Sequence, residues 1–357
     1  MQRKDKLRKG ILVLLIFVLV LLFYFVMKRL DIIDIESYFS QNTIEQKDEK
    51  LVIGFSLGTL KEERWLKDRD ILIAKVKEMG ADIIVQNANN DDQDQLKQVK
   101  YLLEQNIDVL IIVPNDLEKA LSAVELAKRQ GVKVISYDRL VLKSNADLYI
   151  SFDNERVGEL MAKYVVDKIH EGNLLIVNGA KRDYNTKIIK QGYDKVLGDK
   201  VKDESIDIIA EEWADNWMKE YAFEETVKVI QDGKRVDGII AGNDSLAEGA
   251  IEALSEHRMA GKVFVVGQDA DLSACQRIVE GTQLMTVYKP IEKLAGETAR
   301  LAVLLAKGEN LKIEKTIYDG KYDIPYYELE PIAVDKGNMD STIIKDGFHM
   351  MEEVYRN

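Results

Sequence analysis

From Leu51 onward the chain alternates short β-rich apolar runs with amphipathic stretches of helical length, and that alternation restricts the fold more than any other feature. The runs LVIGFSL (51–57), ADIIVQNA (81–88), DVLIIVP (108–114), VKVISYD (132–138) and LYISFD (148–153) are dense in Val and Ile. Between them, segments such as LEKALSAVELAKRQG space apolar residues by three and four and close on Gly131. The rhythm resumes with NLLIVNG (173–179), SIDIIAEEWA (205–214), VDGIIAGN (236–243), KVFVVGQDA (262–270) and QLMTVYKP (283–290). Strand-helix-strand units build parallel sheets covered by helices. A chain of 357 residues can bury two cores. The pattern therefore predicts an α/β protein of two doubly wound parallel-sheet lobes.

Ahead of this region, residues 1–10 carry Arg3, Lys4, Lys6, Arg8 and Lys9, and residues 11–27 form a run of 17 without a charge, followed by Lys28 and Arg29. Such a run is long enough to cross a bilayer. The positive excess places residues 1–10 in the cytoplasm as a tail and everything after the span outside. A cleaved secretory signal is the other reading, but KRLDIIDIESYF lacks the small residues of a cleavage site and no cysteine follows for lipid attachment. The expectation is a single transmembrane helix at 11–27, anchoring an extracytoplasmic globular part through a polar tether at 28–50.

A net charge of −12 argues against a nucleic-acid partner, which needs a concentrated cationic surface. Cys275 is the only cysteine and reads as a small buried hydrophobe. His170, His257 and His349 are scattered without metal-ligand spacing, so no metal or cofactor is expected. NNDDQDQ (89–95) lacks the central Gly and terminal Glu of a calcium loop and reads as a solvated helix start. Dinucleotide, phosphate-loop and serine-hydrolase motifs are absent from the sequence. The enzyme alternative that remains is a glycoside-processing carboxylate pair, Asp138 with Asp269.

Polar residues recur where strands end: Asp138 and Arg139, Asn243 and Asp244, Gln268 and Asp269, and Lys289. In parallel sheets ligands bind beyond the carboxyl ends of the strands. Plainer roles exist for several. Asn243, Asp244, Asp153 and Asn154 can cap helices, Ser245 with Glu248 forms a capping-box pattern, Lys289 can be solvated, and Trp217 can be core. Arg139 fits neither cap nor core, and Trp65 stands among charges like a contact residue. Carboxylates and amides that take or give hydroxyl hydrogen bonds, cations, and tryptophan faces are what a neutral sugar requires.

At this point the strings ERWLKDRD, VISYDRL, LYISFDNERVGELMA, NDSLAEGAIEAL, GQDADLSACQRI, GTQLMTVYKPI and IIKDGFH come together. With them the chain from about Leu51 onward resembles the bacterial D-xylose-binding proteins of the type I periplasmic binding superfamily. The resemblance implies two lobes joined by a three-strand hinge, residues 51–153 plus 288–325 forming the amino-terminal lobe and 154–287 plus 326–357 the carboxy-terminal one. It implies ligand contacts at Arg64, Trp65, Asp138, Arg139, Asn185, Trp213, Asn243, Asp269 and Lys289. It also implies closure over D-xylose, or another pentose or hexose, with the sugar passed to an ABC permease. A retained anchor would instead suit reporting occupancy to a membrane sensor histidine kinase. One departure stands out: SLGTLKEERW has Gly58 and Thr59 where relatives commonly carry two acidic residues.

Overall fold

The computed structural model describes residues 14–24, 26, 27 and 50–356, and the chain divides into two units, residues 1–50 and residues 51–357. Of the first unit, residues 14–24, 26 and 27 are helical and largely exposed. Among the described residues no helix is long and apolar enough to cross a membrane. The expected span at 11–27 includes residues 11–13 and 25, which lie outside the described residues, as do the expected tail and all but the last residue of the tether.

In the second unit every one of the ten β-rich runs becomes a strand. The chain lays down β1 (Val52–Leu57), α1 (Glu63–Glu78), β2 (Asp82–Asn87), α2 (Asp92–Glu104), β3 (Val109–Val113), α3 (Leu121–Arg129), β4 (Lys133–Tyr137) and β5 (Leu148–Phe152). It then continues as α4 (Asn154–Ile169), β6 (Gly172–Asn178), α5 (Tyr184–Lys202), β7 (Ile206–Trp213), α6 (Lys219–Gln231), β8 (Gly238–Ala241), α7 (Asp244–Glu256), β9 (Phe264–Gln268), α8 (Leu272–Glu280) and β10 (Met285–Tyr288). After α9 (Ile291–Ala306), β11 (Thr316–Tyr318) and β12 (Asp323–Leu329), it ends with β13 (Ile332–Val334) and α10 (Met351–Tyr355).

Two sheets result, ordered β11-β12-β5-β4-β3-β1-β2 and β13-β10-β9-β8-β6-β7. Pairing is parallel except at the edges, where β11 and β13 run antiparallel to their neighbours. Helices cover both faces, which is why β3 is Val and Ile with Leu throughout and every residue of it is buried. Helix α9 returns to the first sheet, placing Leu294, Ala295, Ala299 and Leu301 in the same core as Phe55, Ile111 and Phe152. The second lobe has cores of its own on either face of its sheet.

The chain crosses between sheets three times: at Asp153, at Lys289 and Pro290, and between Leu329 and Ile332. The last two differ from the expected boundaries. Tyr288 still belongs to the second sheet, and β12 stays in the first sheet past residue 325, pairing Tyr326–Leu329 with β5. The cause is aromatic: the Tyr326 ring stacks on Tyr149 at 4.9 Å, and its hydroxyl donates to the Phe152 carbonyl at 3.0 Å.

Candidate functional site

The carboxyl ends of both sheets face one another across a polar cleft. Eight of the nine expected residues line it: Arg64, Trp65, Asp138, Arg139, Asn185, Asn243, Asp269 and Lys289, joined by Glu62, Asp183, Ile189, Trp217 and Gln268. The first turn of α1 supplies Arg64 and Trp65. Asp138 and Arg139 leave β4, Asp269 leaves β9, Lys289 leaves β10, and Asn185 sits in the first turn of α5.

Trp213 is the exception. It ends β7 at the half-buried surface, with the Lys181 ammonium 5.4 Å from its ring, and does not line the cleft. Trp217 lines it instead. A 3-10 turn at Asp215–Trp217 carries positive φ at Asn216 (52°) and Trp217 (54°) and swings the second indole inward. Gly179 makes room, since a Cβ there would lie 2.1 Å from the Trp217 ring. The sequence offered one sign of this: a second Trp four residues after the first.

Charge inside the cleft is paired. Arg64 donates to Asp138 Oδ2 at 2.8 Å and Asp68 Oδ2 at 3.2 Å within its own lobe, and reaches Asp269 Oδ1 of the other lobe at 3.4 Å. Lys289 holds Asp269 at 2.7 Å and is 5% exposed, so it is a buried ion-pair partner rather than a solvated side chain. Arg139 binds Asp183 at 2.7 Å. Both guanidinium groups lie over Trp65, at 4.5 Å and 5.1 Å from its ring centre.

Burial alone would raise the Asp138 carboxyl, but Arg64, Lys289 and Arg139 together outweigh it and hold it below the usual range. Asp183 goes the other way, raised by burial against the pull of Arg139. Behind the cleft, burial lifts Asp68 to about 6 despite Arg64 and the Tyr137 hydroxyl that donates to it.

Two site carboxylates stand on strained backbone. Asp138 has φ 59°, and its carbonyl accepts from the Tyr149 hydroxyl (2.9 Å), Ser151 Oγ (2.8 Å) and Asn185 Nδ2 (3.1 Å). Asp269 and Ala270 have φ 99° and 55°. There the Ala270 N–H donates to Thr286 Oγ1 at 3.1 Å, and that hydroxyl donates to buried Asp244 at 2.7 Å. Such conformations persist where the surroundings over-determine them, and they cluster at ligand sites.

Cap and site roles coincide at Asn243: its Oδ1 accepts from Leu246 N at 2.9 Å while the residue lines the cleft. Asp153 caps α4, one of the cap roles expected for it, and NNDDQDQ does start a helix, α2, which Asp91 caps. The Ser245–Glu248 box is not formed, because Asn243 is the cap and Glu248 is drawn to Lys219 and Arg277. Glu62 Oε2, Gln268 Oε1 and Trp217 Nε1 are buried, line the cleft and have no protein partner. Two acceptors and one donor thus stand ready for hydroxyl groups. Among the described residues no cluster of His, Cys, Asp and Glu could hold a metal ion.

Residues 53–310 match the family described as the periplasmic binding protein domain. A D-xylose-binding periplasmic protein of Haemophilus influenzae is 45% identical over 306 residues, covering 85% of this chain and 92% of that one. Its counterpart in Escherichia coli is 41% identical over 303 residues, with the same coverage of each chain. Among solved structures, a carbohydrate transporter solute-binding protein from Chloroflexus aurantiacus in complex with D-glucose superposes with a TM-score of 0.81 at 26% identity, covering 85% of this chain and 98% of that one. A family match across most of the globular unit, joined to two sheets facing one polar cleft, establishes that the chain belongs to the periplasmic binding protein family.

Proposed function

We propose that the protein is an extracytoplasmic receptor that closes on D-xylose between its lobes and releases it unchanged. The observation that carries this reading is the cleft's combination of near-balanced charge, indoles and unpartnered buried polar atoms. Arg64, Arg139 and Lys289 are paired with Asp138, Asp183 and Asp269, so their charges do not single out an anionic ligand, and Glu62 adds one further acidic side chain to the lining. What the site offers is directed hydrogen bonding: carboxylate and amide oxygens accept from hydroxyl groups, guanidinium and ammonium groups donate to them, and Trp65 and Trp217 present faces to C–H surfaces. Bonds to charged groups contribute about 1.5–3 kcal/mol each, enough for micromolar capture after ordering costs. The 41–45% identity to the two D-xylose-binding periplasmic proteins supports xylose over other sugars.

Among the proposed ligand contacts, Trp217 takes the place expected for Trp213. Asp138, one of the two carboxylates of the glycoside-processing alternative, is held below the usual range by Arg64, Lys289 and Arg139, which does not suit it to act as a general acid. Downstream, we place the receptor beside an ABC permease, to which closure presents a changed outer surface. The uncharged run at 11–27 favours a second arrangement, a membrane-anchored receptor reporting occupancy to a sensor histidine kinase. Membrane pull-down of the full chain with and without sugar separates the two.

A thermal-shift panel of pentoses and hexoses tests the primary reading. A ligand that binds the native state alone stabilises it by about 2.7 kcal/mol at a hundred times its Kd. D-xylose should raise the melting temperature most. A panel in which no sugar moves it refutes the assignment.

A further inference from the structure

Beside the cleft, α1 meets the second lobe through groups that do not line the ligand cavity. His349, between the π-helical turn Asp340–Ile344 and α10, is 5% exposed. Its Nε2 lies 2.8 Å from the Ala270 carbonyl and its Nδ1 lies 3.1 Å from Nζ of Lys67. A carbonyl only accepts and an ammonium only donates, so both contacts require one species, the neutral imidazole with its proton on Nε2. That proton pins the turn that aims Asp269 into the cleft. Lys67 stands three residues after Arg64 on α1. It also donates to the Phe348 carbonyl at 3.0 Å, lies 4.1 Å from the Phe348 ring centre and pairs with Glu63 at 3.2 Å. Glu63 in turn accepts from Leu272 N at 3.3 Å.

We propose that His349 is a positioning residue whose neutral form locks the Asp269–Ala270 turn against α1, so that sugar capture depends on pH through a group that does not touch the sugar. The proposal rests on the sugar-receptor reading above. The charged groups facing the imidazole are Lys67 and Glu63 of α1 and Glu353 of α10. Protonation at Nδ1 removes the acceptor Lys67 uses and sets two cations against each other. Burial, and then Lys67, push the imidazole below its usual range, against the pull of the Ala270 carbonyl and the two glutamates. When the lobes part, Lys67 withdraws and the ring returns toward about 6.5. The closed form then binds fewer protons than the open one. Its advantage is complete above about pH 6.5 and is lost as pH falls below that, approaching tenfold per pH unit for a single proton.

The test is calorimetric titration of the full chain with D-xylose between about pH 5 and about pH 8. The wild-type Kd should hold steady in the upper range and rise by up to about tenfold per unit below about 6.5. His349→Gln retains an amide donor but does not titrate, so its profile should flatten. Lys67→Met should shrink the acid loss, because the closed-state imidazole loses the cation that opposes its charge. Near pH 6, matched buffers of different ionisation enthalpy should show wild-type binding releasing a proton that His349→Gln does not release. Asp68 and Asp244, lifted by burial to about 6 and about 7, remain in both variants, so a slope they cause survives the substitutions. An unchanged slope in both variants, or a wild-type affinity constant across the range, overturns the proposal. Absence of xylose binding at every pH overturns the receptor reading instead. Should His349→Gln fail to fold, Lys67→Met and the wild-type proton release decide the matter.

Discussion

Asp269 joins the lobes and faces the ligand at once, because its carboxylate takes Lys289 at 2.7 Å and Arg64 at 3.4 Å while lining the cleft. Replacing it with Asn keeps the shape, removes the charge both cations use, and weakens the acceptor offered to a hydroxyl. We expect D-xylose affinity to fall roughly ten- to a hundredfold, matching about 1.5–3 kcal/mol for a charged hydrogen bond. Arg139→Ala should weaken binding comparably, since it strips a cleft donor and leaves Asp183 buried without its cation. Calorimetry showing wild-type affinity in either variant would remove that residue from the site. Both residues were legible in the sequence, as polar groups directly following apolar strands. Trp217 and Asp68 were not. Trp217 and Trp213 share one short string, and the choice between them depends on left-handed backbone at Asn216 that local composition does not announce. Asp68 sits in ERWLKDRD, where a carboxylate reads as solvated, yet it is fully buried because Arg64 and Tyr137 turn inward with it.

Helices α4 and α5 pack closely enough that two glycines touch backbone. A Cβ on Gly158 would lie 1.9 Å from the Ile189 carbonyl oxygen, and one on Gly192 would lie 2.1 Å from that of Glu155. Backbone oxygens in helices cannot yield as a side-chain tip does, so Gly192→Ala must push the helices apart, at about 1–3 kcal/mol. The start of α5 carries Asp183 and Asn185 into the cleft, so the same shift should weaken xylose binding along with the melting temperature. Gly198 lies on the same helix with open space where its Cβ would stand. Gly198→Ala should instead stabilise by up to about 1 kcal/mol, through helix propensity alone. Equal melting temperatures for the two variants would show that the contact does not govern this packing. At this scale the periodic elements were readable throughout, because burial on both faces writes Val and Ile into each parallel strand. Strands β11, β12 and β13 escaped, being short or rich in tyrosine, and β12 is kept in the first sheet by a ring stack that only the folded chain brings together.

Across the whole molecule, closure is held partly by Lys61 and Arg182, which do not line the ligand cavity. Lys61 of the first lobe reaches the carbonyls of Asn216 (3.3 Å) and Trp217 (3.4 Å) in the second. The Leu117 N–H donates to the Arg182 carbonyl at 3.1 Å, and the Arg182 side chain donates to Asn115 Oδ1 at 3.3 Å and to the amide oxygen of Asn216. Apparent affinity is the intrinsic affinity scaled by the population able to bind, so bonds that exist only in the closed form tighten binding without contributing selectivity. Lys61 donates to half-exposed carbonyls, where a charged bond contributes about 1 kcal/mol. Lys61→Met, which keeps the length of the side chain and removes the donor, should raise the dissociation rate about three- to tenfold and leave the association rate nearly untouched, because encounter with the open cleft does not involve it. The preference for xylose over hexoses should not change. Stopped-flow tryptophan fluorescence resolves both rates, Trp65 and Trp217 being cleft residues. A dissociation rate equal to wild type would mean the lobes close without this latch, whereas an altered sugar preference would place Lys61 against the ligand itself.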